Sequence, residues 1–145
     1  MVKVYGVDES DYKADFMISE NYIKFTGELL RLSLLAIGGF GTLLVAKMKR
    51  EEFAAELDYS GFIIALVCFV FCSGACMCHR FFATDSMSWF ISLLRTQKND
   101  DIVKINKERE GLYKALKLSS IFLVLSGISF GLGVFFFFIA IYNLL

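Results

Sequence analysis

The residues most capable of chemistry sit close together. The chain holds one histidine, His79, and four cysteines, Cys68, Cys72, Cys76 and Cys78. Thiolates and neutral imidazole are common ligands of zinc and other transition metals. Cys68, Cys72 and Cys76 follow at four-residue spacing, so a helix would carry them on one face with His79 just below. A structural zinc site wants four ligands in a closed cage, whereas one helix offers its ligands along a line. Cys76-Met77-Cys78-His79 also lacks the Cys-x-x-Cys-His spacing of a haem attachment site. A single chain would not close a metal site with these groups alone, although several copies together could. The other reading is a helix contact made of small residues, because buried cysteine behaves as a small hydrophobe. No paired carboxylates lie within the apolar runs, and no glycine-rich phosphate loop or Ser/His/Asp arrangement is legible. An enzyme is therefore not expected, and neither is a metal or cofactor.

The elements that would position these groups are apolar. Of the 145 residues, 57% are hydrophobic and 21% charged, and mean hydropathy is +0.59. A soluble domain of this size cannot bury so much apolar surface, because burial is limited by surface-to-volume scaling. The 16 phenylalanines suit a surface that faces lipid. Net charge is zero, so no overall field recruits nucleic acid or an acidic substrate. The four cysteines share one apolar run, which argues against a secreted disulfide framework. The N-terminal stretch is acidic and has no basic n-region before the first apolar run near Leu29, so no cleavable signal peptide is expected.

The pattern divides the chain into four parts. Residues 1–27 form an N-terminal cytoplasmic or interfacial segment. Within it, Ser10 is placed to cap an amphipathic helix carrying Tyr12, Phe16, Ser19 and Ile23. Residues 28–78 form a transmembrane hairpin, with spans at 29–46 and 61–78 joined by the charged connection 47–59. Residues 79–117 form a cytoplasmic helical segment. There, 86–94 is apolar but too short to span, and Trp89 and Phe90 suggest a helix at the membrane surface. Asn99-Asp100-Asp101 reads as a cap, after which Ile102, Ile105, Leu112 and Leu116 recur on one face. This helix is expected to run straight into the third span, 118–142, within the last part, 118–145. The result is a rod of roughly 60 Å. The absence of proline favours unbroken helices. The fold class is thus an all-α membrane protein: three transmembrane helices, an amphipathic N-terminal helix, and a long cytoplasmic helix continuing into the third span.

Basic residues set the expected orientation. Lys3, Lys13, Lys24 and Arg31 lie on the N-terminal side, and eight further Lys and Arg lie in 79–117. The 47–59 connection has three, and the C-terminus none. The positive-inside rule places the N-terminus and 79–117 in the cytoplasm and the C-terminus outside, with Tyr142 as an interfacial anchor.

Several stripes carry possible function. Glu28, Arg31, Leu35, Gly38 and Thr42 repeat at three and four residues along the first span. They form a narrow face, polar at one end and small in its middle. An arginine in a span is costly and tends to face protein or water; the alternative is that Arg31 reaches back to lipid headgroups. In the third span Ser119, Ser126, Ser129 and Gly133 share a face, and Gly127 and Gly131 form a GxxxG pair beside it, which suits close helix packing. Glu28, Arg31, Gly38 and Thr42, with Ser126 and Ser129 as the other lining, are the pore candidates. Phe135 to Phe138 present four rings in succession, and Phe135 and Phe138 are candidates for an apolar gate. Lys104, Lys107, Arg109 and Lys114 alternate with acids on the cytoplasmic helix. They form either a solvated face or a site for anionic lipid, a phosphate-bearing ligand or a protein partner.

Two close spans with a charged connection, 29–78, and the long mixed-charge helix 100–117 resemble the small membrane effectors of bacterial anti-phage systems, the SLATT-like class. The resemblance implies oligomers that open pores when a nucleotide signal or partner changes. The third span is a departure from a strict two-span pattern. The expected function is therefore a homo-oligomeric pore or ion channel in the bacterial inner membrane. It would be gated through its cytoplasmic part by a regulatory protein or by a nucleotide or oligonucleotide. A small accessory or scaffold subunit of a larger membrane complex is the alternative.

Overall fold

Three helices make up the fold seen in a computed structural model: α1 (Lys13–Met48), α2 (Ser60–Gln97) and α3 (Ile102–Tyr142). The structure describes residues 12–48, 60–97 and 102–142. The expected Ser10 cap, most of the charged connection 47–59 and the Asn99–Asp101 cap lie outside them. The helices have 36, 38 and 41 residues, or roughly 54, 57 and 62 Å at 1.5 Å per residue. No proline interrupts them, Asp15 lies in the first turn of α1, and Arg95 lies in the last turn of α2. Both charges complement the helix dipole.

The chain runs up, down and up. Gly61 lies against Ala140, Phe69 against Gly133, and Trp89 against Gly111, so α2 and α3 are antiparallel along their whole length. Thr26 meets His79 and Ser33 meets Cys72, so α1 also runs antiparallel to α2. Helix α2 stands between the other two, which touch each other little. Phe40 and Phe137, stacked at 4.0 Å between ring centroids, supply a direct contact between α1 and α3. Near the opposite end, Tyr12 and Phe16 of α1 meet Phe90 of α2 edge-on.

A seven-residue repeat sets which residues are buried. On α2 they are Ala65, Cys72, His79, Ser86 and Leu93, interleaved with Phe69, Cys76 and Ala83. On α3, Ser119, Ser126, Gly133 and Ala140 recur at the same interval, with Glu108, Ala115 and Ser129 beside them. A period of 3.5 residues keeps one seam of a helix facing its neighbour over many turns. The seam is built of small residues, so the helix backbones approach closely.

The long rod expected from residue 102 into the third apolar run is α3. Elsewhere the boundaries differ from expectation. The N-terminal amphipathic stretch is the first part of α1, not a helix of its own, because no proline separates it from the apolar run and the helix passes through Gly27 unbroken. Residues 86–94 continue α2 instead of forming a separate surface helix. Ser86 and Leu93 keep the seven-residue register that begins at Ala65, and Trp89 packs on Gly111. Each helix therefore has an apolar half and a polar half, and the polar halves lie side by side. Helices α2 and α3 are long and apolar enough to cross a membrane, and only 28% and 17% of their most apolar windows are buried.

Candidate functional site

The polar atoms inside the bundle lie along the seams, with α2 as their common partner. In the apolar half, Ser33 Oγ donates to the Leu29 carbonyl at 2.8 Å and lies 3.2 Å from Cys72 Sγ. The Cys72 thiol in turn donates to the Ser126 carbonyl at 3.3 Å, which links all three helices. In the polar half, Ser92 Oγ donates to Glu108 Oε1 at 2.8 Å. The other carboxylate oxygen, Oε2, is buried without a partner among the described residues.

His79 occupies the boundary between the halves and is 2% exposed. Its Nδ1 lies 3.2 Å from Thr26 Oγ1. The Thr26 hydroxyl also lies 3.0 Å from the Tyr22 carbonyl and 3.1 Å from that of Ile23. Back-bonding to a carbonyl one turn earlier is the usual use of a threonine hydroxyl in a helix. The pair forms a hydrogen bond in either histidine tautomer: Thr26 accepts where Nδ1 carries the ring proton and donates where Nε2 carries it.

A cleft of about 400 Å³ opens beside His79, a size within the range of small-molecule sites. Helix α2 floors it with His79, Ala83, Ser86 and Phe90. One wall is α1, with Asp15 and Tyr22, and the other is α3, with Leu116 and Ser119. The cleft exists because α1 and α3 diverge here: their contact at Phe40 and Phe137 lies well up the apolar half. Its surface is largely apolar, with polar atoms at a few points.

The residues singled out in sequence separate into two groups. Glu28, Arg31, Gly38 and Thr42 are all exposed on the outward side of α1. Arg31 donates to Glu28 Oε1 at 2.9 Å, and Thr42 Oγ1 donates to the Gly39 carbonyl at 2.7 Å. Gly38 and Thr42 line a shallow groove with Ile37, Gly41 and Val45. Ser126 and Ser129, the alternative lining, are buried against α2, so neither faces an open path. Gly127 and Gly131 are exposed, and a side chain added at either meets nothing within 4 Å. The GxxxG pair is thus not a contact within the chain. Gly133 and Gly111 serve there instead, because Phe69 and Trp89 lie flat against them. Phe135 and Phe138 point outward, and of the four-ring run it is Phe137 that stacks on α1.

Lys104, Lys107, Arg109 and Lys114 are exposed on α3, and none lines the cleft. Lys114 pairs with Glu110 at 2.6 Å, and this hydrogen bond holds the Glu110 carboxyl below its usual range. Of the cysteines, Cys72 and Cys76 are fully buried, while Cys68 and Cys78 are half-buried. No group of three or more His, Cys, Asp or Glu side chains among the described residues is placed to hold a metal ion.

Sequence reasoning read the α3 side of the seam and offered the cysteines as a helix contact, but it missed the continuation of the seam through His79, Ser86 and Leu93, and the cleft. The signal was the interval Ala65, Cys72, His79, Ser86, Leu93, which size and spacing mark but hydropathy does not. Comparison with family models, curated proteins and solved structures returns no match for this chain.

Proposed function

We propose that the protein is a three-span membrane protein that assembles with copies of itself into a pore for ions or small solutes. The observation that carries this reading is the outward face of α1. Its apolar half is uncharged between Arg31 and Lys47, yet its smallest and most polar stripe, Glu28, Arg31, Gly38 and Thr42, is covered by no other helix. Lipid is a poor partner for such a stripe, because charged groups in a span favour protein or water. Three helices enclose too little space for a water path while satisfying their own backbone. Several copies arranged around an axis, each offering α1, would enclose one.

Further support comes from the large apolar side chains left exposed, among them Leu35, Phe71, Phe135 and Phe138. Soluble proteins rarely expose such extensive apolar patches. The helices are about twice as long as the roughly 30 Å hydrocarbon core. On this reading the apolar halves span the bilayer, with 29–46 of α1 as the third span, and the polar halves project into the cytoplasm as a stalk. The basic residues of the stalk favour a cytoplasmic stalk and N-terminus, with the C-terminus outside. Opening in response to a cytoplasmic signal, as in the bacterial inner-membrane effectors the sequence resembles, is the regulatory part of the proposal.

Ion flux from liposomes holding the purified protein tests the reading. Flux that falls when Arg31 or Thr42 is replaced supports it. A monomer by mass that passes no ions with any cytoplasmic trigger sinks it. Cross-linking in native membranes separates it from an accessory-subunit role: identical subunits give a ladder, and an accessory subunit gives one adduct with a different protein.

A further inference from the structure

We infer that the cleft along the polar halves binds a small organic cation, with an ammonium group at one end and an apolar body behind it. The inference goes beyond the pore reading and draws on it only for the side of arrival, which is the cytoplasm.

Three observations define the occupant. The cleft lies mostly along the polar halves, between the level of His79 and that of Phe90, so a ligand reaches it from the aqueous side. Its middle is apolar all the same, formed by Ile18, Met87 and Leu116. Apolar walls open to water favour an apolar occupant, which removes them from water.

The second observation is an acid without a partner. Asp15 is the one charged residue of the lining. Every other acid among the described residues is paired. Glu20 meets Lys24, Glu28 meets Arg31 and Glu110 meets Lys114, while Asp85 accepts from Trp89 and Glu108 from Ser92. Asp15 makes no ion pair or hydrogen bond with a described residue. Phe90 stands at the same level, because it meets Tyr12 and Phe16 on either side of Asp15. A carboxylate with an aromatic ring beside it suits an ammonium group, which both attract. An anion would meet a like charge and no lysine or arginine.

The third observation is size. The volume of about 400 Å³ is that of a small-molecule site. Along α1 the lining runs from Asp15 to Tyr22, or about 10 Å at 1.5 Å per residue. A ligand of that length sets its charge at Asp15 and its apolar end beside Tyr22 and Leu116.

The test uses the full chain in phosphatidylcholine nanodiscs, with three probes of one shape: 4-phenylbutylammonium, 4-phenylbutanol and 4-phenylbutanoate. Binding is read by equilibrium dialysis against empty nanodiscs, which subtracts uptake by lipid. The ammonium should bind about fivefold more tightly than the alcohol, as one charge pair near a protein surface implies, and the carboxylate should bind most weakly. Asp15→Asn should bring the ammonium down to the alcohol, and Asp15→Lys should reverse the order of ammonium and carboxylate. Leu116→Trp, at an exposed position of the wall, should weaken all three several-fold by filling the cleft. Helix content and elution volume confirm that each variant folds. No binding above empty nanodiscs, equal binding of the three probes, or a preference for the ammonium that survives Asp15→Asn overturns the inference. Each of these results leaves ion flux from liposomes, and the pore reading with it, untouched.

Discussion

The two sides of α2 are built differently. Toward α3 the contact is continuous from Gly61 against Ala140 to Ser92 on Glu108, and at Gly133 and Gly111 an aromatic ring lies where a side chain would start. Toward α1 the contact is a series of separate attachments: Tyr12 and Phe16 on Phe90, Thr26 on His79, Ser33 beside Cys72, and Phe40 on Phe69. By extent of packing, α2 and α3 form the spine, and α1 is the less extensively held helix. The uncovered stripe belongs to this less extensively held helix, which also supplies one wall of the cleft.

Substitutions on the two sides should separate in size. The largest effect is expected at the spine. In Gly111→Val or Gly133→Val the new Cβ meets the Trp89 ring at 2.9 Å or the Phe69 ring at 3.0 Å, and overpacking of this kind costs about 1–3 kcal/mol. Unfolding in mixed micelles should show that loss. An unchanged midpoint would mean that the seam opens freely and that the contrast with α1 is false.

Phe40→Ala comes next, because it removes a ring that is stacked on Phe137 and tilted against Phe69. Such pairs are worth about 1 kcal/mol beyond the area they bury. Hydrogen exchange should rise in α1 well before it rises in α2 or α3. A uniform rise would mean that the three helices open as one unit. Thr26→Val is expected to cost about 0.6 kcal/mol, the average for a side-chain hydrogen bond between helices in a membrane. It should also change the environment of His79, which a ring-proton NMR signal reports. Gly127→Ala and Gly131→Ala should have the smallest effect on the isolated chain, since open space surrounds both positions. If these changes leave unfolding untouched but weaken self-association, the outward face of α3 is a contact between copies. If they destabilise the monomer, the packing described for α3 is wrong.

Much of the helical fold was legible in the sequence. The apolar runs, the absence of proline and the line of Ile102, Ile105, Leu112 and Leu116 pointed to long helices, and α3 runs as that pattern implied. The Ser119, Ser126, Ser129 and Gly133 stripe was also readable, because small residues in an apolar helix mark where another backbone comes close. Its partner face on α2 was not. There the seam passes through an alanine, a cysteine, a histidine, a serine and a leucine, and no single property unites them except that each fits. Length also misled at the boundary: the apolar stretch 86–94 looked like a surface helix because it is too short to span and carries Trp89 and Phe90. In fact it continues a register set some twenty residues earlier. The pairing of Thr26 with His79 joins residues 53 positions apart, and nothing local in either segment announces it.

The unbroken length of α2 has a mechanical consequence. His79 stands near its middle, with Ala65 and Phe69 toward one end and Leu93 and Thr96 toward the other. Helix α1 rests against that fixed rod at Thr26, near its own middle, and whatever fills the cleft beside His79 would act close to this fulcrum. A small tilt of α1 about that point swings its two ends in opposite directions, so Tyr12 and Phe40 would shift against α2 with opposite sense. A displacement too slight to break any contact at the pivot would be greatest at the far ends, where the helices emerge from their shared seam.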